Sequence, residues 1–477
     1  MPASSRERPR RDQRTRMLEE PVPRLVLTLA VPTIISMMVT SIYNMADTYF
    51  VSQINTSASG AVGIVFSIMA IIQAVGFTIG MGSGSVASRL LGQGLPDRAA
   101  VIASSAVVAA VVCGSLLTLA GLGTLEHFVW ILGATETIYP YALQYATYIL
   151  WGAPVMCLAF TLNNLLRWQG KANRSVIGLG IGGVLNILLD PIFIFGYFGF
   201  PKMGVAGAAV ATVAGQILAM VFSVYGAAIA TLLSQCVSAS ILASFFLRGQ
   251  SEIRVSIRCV STAPKIYLTI FKSGMPSFFR QGMASVSAMA LNFNAGVYGD
   301  AAVAAMAIVT KVFNFLLSAV IGFGQGMQPV VGYNYGAKEL GRVRQAVSFS
   351  LKFCTVILTV AAAAGAVFAP QIVQFFRNDP AVVAVGTQAF RFQCISLPLA
   401  AVLVFANMLF QSLGKSWRAS LLALCRQGMF FIPLVYLLPM HFGLLGLEVT
   451  QMCSDLIAFL VSAAFLLHYF RREFDRV

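Results

Sequence analysis

Residues 25–52 read LVLTLAVPTIISMMVTSIYNMADTYFVS, an apolar run whose one charged side chain is Asp47. A helix needs about 20 such residues to cross the hydrocarbon core of a bilayer. Runs of this kind recur along the chain, near 60–86, 99–123, 138–162, 175–198, 203–247, 273–297, 302–327, 346–369, 386–411, 419–438 and 445–469. The 477 residues are 58% hydrophobic and 10% charged, with a mean hydropathy of +0.81. A soluble domain keeps roughly a quarter of its residues charged, so the predicted class is an all-α integral membrane protein of twelve spans.

The net charge of +15 is spread over short loops rather than gathered on one face, which excludes a nucleic-acid interface. With the N-terminus inside, 27 of the 32 Lys and Arg fall in cytoplasmic segments, and the outer loops hold only Lys202 and Arg377. That bias puts both termini in the cytoplasm. Seven arginines precede the first span and no cleavage site follows it, so it reads as an anchor and not as a signal peptide. The eight Cys form no close pair and the three His have no metal-ligand spacing. No disulfide, metal or cofactor is expected.

The run at 203–247 is about twice the length of one crossing. Two crossings would place the downstream basic loops outside, so one crossing is predicted, with the surplus as an overlong helix or a segment lying on the membrane. The predicted units are a basic tail (1–24), a first six-helix bundle (25–247), a cytoplasmic linker (248–272), a second six-helix bundle (273–470) and a tail (471–477).

The two halves repeat. Gly80, Gly82 and Gly84 are matched 242 residues on by Gly322, Gly324 and Gly326, and Gly94 by Gly336. At an offset of 244, Pro32 pairs with Pro276, and Asn163, Gly170, Lys171 and Arg174 pair with Asn407, Gly414, Lys415 and Arg418. Six spans per half give both halves one orientation, related by a pseudo-twofold axis along the membrane normal, with a cavity between them.

Acids inside spans are costly and are functional candidates. Tyr43 and Asp47 share a face of span one beside Asn44, and Asn186 and Asp190 share a face of span five. Desolvation and a like-charged neighbour suit such carboxylates to carry H⁺; with Asn and carbonyl oxygens they would equally hold Na⁺. Asn163, Gln281, Asn292 and Lys311 are further candidate cavity residues. Lys311 would neutralise an acid, repel a cation or bind an anion. Asp455 is read as its partner or as a packing residue. Arg280, Arg391 and Glu448 lie within about two turns of predicted span ends, where snorkelling accounts for them. Pro32 removes a backbone hydrogen bond and is expected to bend span one.

Pro32, Tyr43-Asn44-x-x-Asp47, the Gly80/82/84 run to Arg89 and Gly92, Gly170-Lys171 and Asn186-x-x-x-Asp190-Pro191 resemble the multidrug and toxic compound extrusion (MATE) family. Gly274-x-Pro276-Ser277, Gln328-Pro329 and Asn334-Tyr335-Gly336 extend the likeness over residues 20–470. The resemblance implies two bundles in a V, driven by H⁺ or Na⁺ antiport, with coupling at Asp47, Asn186 and Asp190 and bending near Pro32 on protonation. Spans seven and ten lack the carboxylates of one branch, which points to the DinF-like branch. A span-six Thr joins the site in some members, and Thr212 and Thr231 are both eligible. The expected function is export of amphipathic, cationic small molecules by a monomer in the plasma membrane. A lipid-linked precursor flippase is the alternative, and a membrane-embedded transferase a more distant one.

Overall fold

In a computed structural model, residues 8–52, 56–132, 136–195 and 233–474 are described; the side chains at 43–52 and 56–64, and at several positions of 179–195, lie outside the description. The described residues form helices joined by short connections and the linker, with no strand. In chain order these are α1 (Arg8–Glu19), α2 (Val22–Ser52), α3 (Thr56–Gly92), α4 (Pro96–Ile131), α5 (Tyr139–Trp168), α6 (Ala172–Phe195), α7 (Leu233–Leu247), α8 (Pro264–Gly296) and α9 (Asp300–Gly336). They continue with α10 (Leu340–Val367), α11 (Ala369–Phe376), α12 (Pro380–Ser396), α13 (Ala400–Ser412), α14 (Ser416–Leu424) and α15 (Phe431–His468). Large apolar side chains such as Leu116, Leu119, Val356, Val360 and Leu460 point outward. An outer surface of this kind is stable only in lipid.

Spans ten to twelve are less regular than the sequence suggests. A 3₁₀ turn at Leu397–Leu399, holding Pro398, joins α12 to α13. A π turn at Cys425–Met429 joins α14 to α15. Gly443, at φ 58°, breaks α15 between the last two spans; an L side chain would be strained there. The segment 203–232, with Thr212 and Thr231, lies outside the described residues, so the expectation for 203–247 falls largely outside them, and the described part is the 15-residue α7.

The repeat has a constant offset of 244. After α3, Gly94 N–H bonds Leu91 O and Leu95 N–H bonds Leu90 O; after α9, Lys338 N–H bonds Tyr335 O and Glu339 N–H bonds Asn334 O. Gly94 thus corresponds to Lys338, both left-handed at φ 78° and 64°. Gly82 corresponds to Gly326 and Gly92 to Gly336, which corrects the 242-residue pairing. Runs of glycine can be slid by two residues without penalty in a sequence comparison, whereas a turn's hydrogen bonds cannot.

The bundles meet at the end that carries the basic loops. Gly274 of α8 rests on the Thr78 carbonyl of α3, Gly82 on the Ile270 carbonyl, and Gly326 and Gly322 of α9 on Ala30 and Ile34 of α2. A Cβ at any of these glycines would overlap a neighbouring backbone. Side chains then bond backbone across the seam: Thr33 Oγ1 to Gly322 O at 2.6 Å, Ser85 Oγ to Gln411 O at 2.8 Å and Arg89 Nη1 to Ser412 O at 2.7 Å.

The basic tail and the linker are both bonded to the bundles. In the tail, α1 buries Met17 completely. Gln13 Nε2 donates to Gln169 O, and Arg14 Nη2 to Gly92 O, in the first bundle. Asn334 Nδ2 reaches Met17 O (3.1 Å) and Arg342 Nη2 reaches Glu20 O (2.6 Å) from the second. The linker is strapped to the first bundle through Ser104 Oγ, Ser105 Oγ and Gln169 Oε1 and the Lys171–Glu252 ion pair (2.7 Å). It ends at Pro264, where α8 starts, nine residues before the predicted span.

Candidate functional site in the cleft between the bundles

Asp47, with Tyr43 and Asn44, lies near the end of α2 remote from the basic loops, and Asn186 and Asp190 lie toward the same end of α6. The helices α2 and α6 pack on one another. The five side chains themselves fall outside the description. Pro32 is inside α2, which runs unbroken from Val22 to Ser52.

The other candidates separate. Asn163 is buried and donates to Ser175 O at 3.0 Å. Asn407, its counterpart 244 residues on, donates to Ala419 O at 2.6 Å. Each Asn clamps a helix to its successor, so Asn163 has a packing role. Gln281 is half-buried on α8, while Asn292 and Lys311 are exposed on α8 and α9.

Asp455 takes the packing role, and the snorkelling reading fails for Glu448. Asp455 is fully buried and pairs with Arg426 (2.9 Å), with Gln451 Nε2 and Ser396 Oγ on its oxygens. The π turn carries Arg426 into the bundle, so this arginine, and not Lys311, is the partner. Glu448 is 3% exposed, which rules out snorkelling. Arg280 lies sixteen residues from either end of α8, about 24 Å from each at 1.5 Å per residue. It is therefore at the middle of the helix, about two turns past Lys272. A helix favours Pro in its first turn, and Pro264 was the signal that α8 begins early.

Arg280 is half-buried, and its Nη1 donates to Asn407 Oδ1 at 3.3 Å. Facing it from the first bundle is Arg167, 2% exposed. Arg167 Nη1 crosses to Gln325 Oε1 of the second bundle (2.6 Å), and Nη2 contacts Asn164 Oδ1 and Met81 Sδ. A buried polar floor thus closes the cleft just above the glycine seam, and its charge is positive.

A twice-repeated, acid-bearing bundle closed at one end is a transporter's geometry, and the family comparison decides which kind. The MatE model matches residues 32–192 and again residues 276–437, two stretches that begin 244 residues apart. The chain belongs to the MatE family. Its members are membrane transporters and not enzymes. The chain is 26% identical to the multidrug export protein MepA of Staphylococcus saprophyticus over 450 residues, 94% of each chain. It is also 26% identical to an FAD transporter of Shewanella oneidensis, over 92% of this chain and 93% of that one. The crystal structure of a MATE protein in complex with MaL6 superposes with a TM-score of 0.86 at 24% identity, covering 97% of this chain and 99% of that one. The fold is thus the twelve-span, two-bundle V expected from the sequence.

Proposed function

We propose that this MatE protein is a secondary active exporter of small amphipathic molecules, exchanging them for H⁺ or Na⁺ by alternating access across the plasma membrane. With the basic loops in the cytoplasm, the seam at Gly82, Gly274, Gly322 and Gly326 closes the inner side and the cleft opens outward. The observation that carries the reading is the packing of α2, with Asp47, against α6, with Asn186 and Asp190, in one bundle. Protons, or Na⁺ held by Asp47, Asn186 and Asp190, would be exchanged there. Asp47→Asn is expected to abolish dye export from cells while the protein still reaches the membrane; unchanged export would remove the coupling role. Replacing Na⁺ by K⁺ at fixed pH separates the ions, because only a Na⁺-coupled exporter stops.

The span-seven and span-ten segments lack carboxylates, which supports the DinF-like branch and coupling through the first bundle. A monomer suffices, since both bundles belong to one chain. Asp47 and Asp190 favour a cationic cargo. A second reading, an anionic cargo, is favoured by the relative named an FAD transporter, since such a dinucleotide carries a diphosphate.

A further inference from the structure

The charges described at the floor of the cleft are arginines. Arg280 comes from the middle of α8 in the second bundle and Arg167 from the end of α5 in the first; Arg89 lies in the seam, bonded to Ser85 Oγ and Ser412 O. The ion pairs among the described residues are Arg16–Glu20, Arg24–Glu20, Lys171–Glu252 and Arg426–Asp455, and none includes these three. The described side chains bonded to Arg167 and Arg280 are neutral: Met81 of α3, Asn164 of α5, Gln325 of α9 and Asn407 of α13. Arg167 Nε is buried with no hydrogen-bond partner. Arg280 is held by one 3.3 Å bond to an Asn407 whose own amide is already committed to Ala419 O.

A buried cation with no counter-ion among the described residues is costly, and a second one of like sign beside it raises the cost. Packing alone gives no reason to keep both. An oxyanion in the cleft would relieve both, because a guanidinium presents a planar fork of donors that matches carboxylate or phosphate oxygens in pairs. Arg167 is spent on closing the floor, whereas Arg280 is less deeply buried and held by one bond. We propose that Arg280, with the charge of Arg167 behind it, is the recognition site for a carboxylate or phosphate group on the exported molecule. This rests on the exporter reading and narrows its cargo to amphiphiles that bear an oxyanion.

The test uses two xanthene dyes of similar shape, anionic fluorescein and cationic rhodamine 6G, titrated by anisotropy against the purified full-length chain. The expected results are that Arg280→Gln weakens fluorescein binding by about tenfold or more and tightens rhodamine 6G, while Arg280→Lys gives an intermediate loss for fluorescein. Opposite movement of the two dyes is the signature of charge, since structural damage weakens both. Unchanged fluorescein affinity in Arg280→Gln, or parallel loss of both dyes, overturns the proposal. Should Arg280→Gln not fold, Arg280→Lys decides: affinity equal to that of the unmodified chain overturns the bidentate site. Proteoliposomes separate the two readings. Export of rhodamine 6G without fluorescein binding defeats the anion site alone; charge-sensitive binding without export of either dye defeats the exporter reading.

Discussion

Gly92 and Gly336 exchange places across the internal twofold: Gly92 rests on the Tyr333 carbonyl, and Gly336 rests on the Arg89 carbonyl. Each residue of one contact lies 244 positions from its counterpart in the other, so the axis passes between the ends of α3 and α9. A side chain at either position has no room while the bundles are closed.

Gly336→Leu is therefore expected to hold the basic-loop end open. Hydrogen–deuterium exchange should rise across residues 85–92 and 329–336, where the seam is lost. Unaltered exchange there would mean that this contact does not maintain closure.

Asn163 and Asn407 make the same clamp in the two halves, each amide donating to a carbonyl twelve residues on. Truncating either to Ala removes one buried side-chain hydrogen bond, which costs about 0.5–1.5 kcal/mol. The two costs should add, because the sites sit in separate bundles. Thermal unfolding of the single and double variants checks this. In the second half Asn407→Ala should also weaken fluorescein binding, as Asn407 Oδ1 steadies Arg280; Asn163→Ala should not.

Lys338 occupies, at φ 64° and exposed to solvent, the position that glycine holds in the first half. A left-handed conformation costs an ordinary residue about 1 kcal/mol. Lys338→Gly should accordingly stabilise the protein by roughly that amount, and Gly94→Ala should destabilise it by a similar one. Equal melting temperatures for all three proteins would contradict the assignment.

Asp455 and Arg426 form a buried pair at 2.9 Å. Removing one partner leaves an uncompensated charge, at a cost of about 3–5 kcal/mol, while replacing both by apolar residues is often neutral. Asp455→Leu alone should lower thermal stability sharply, and the double variant Arg426→Leu/Asp455→Leu should restore most of it. Failure of the double variant to recover would point to a role for the pair beyond mutual compensation.

The span count, the two-bundle plan and the family were legible in the chain, because hydropathy, loop charge and a repeated motif order are properties of consecutive residues. Apolar runs longer than about 20 residues leave a chain few alternatives in a bilayer, since every backbone group must bond within its own segment. What consecutive residues do not contain is depth and partnership. Arg280 reads as a residue near a span end, and only the fold shows that its guanidinium turns to Asn407, 127 positions on. Asp455 was separable from Lys311 only once the π turn had brought Arg426 to it. The sequence alone thus determined what crosses the membrane, through the solvent preference of each segment. The tertiary structure decided which charges meet at the floor of the cleft, because that depends on helix starts, bends and glycine contacts that put residues more than a hundred positions apart side by side.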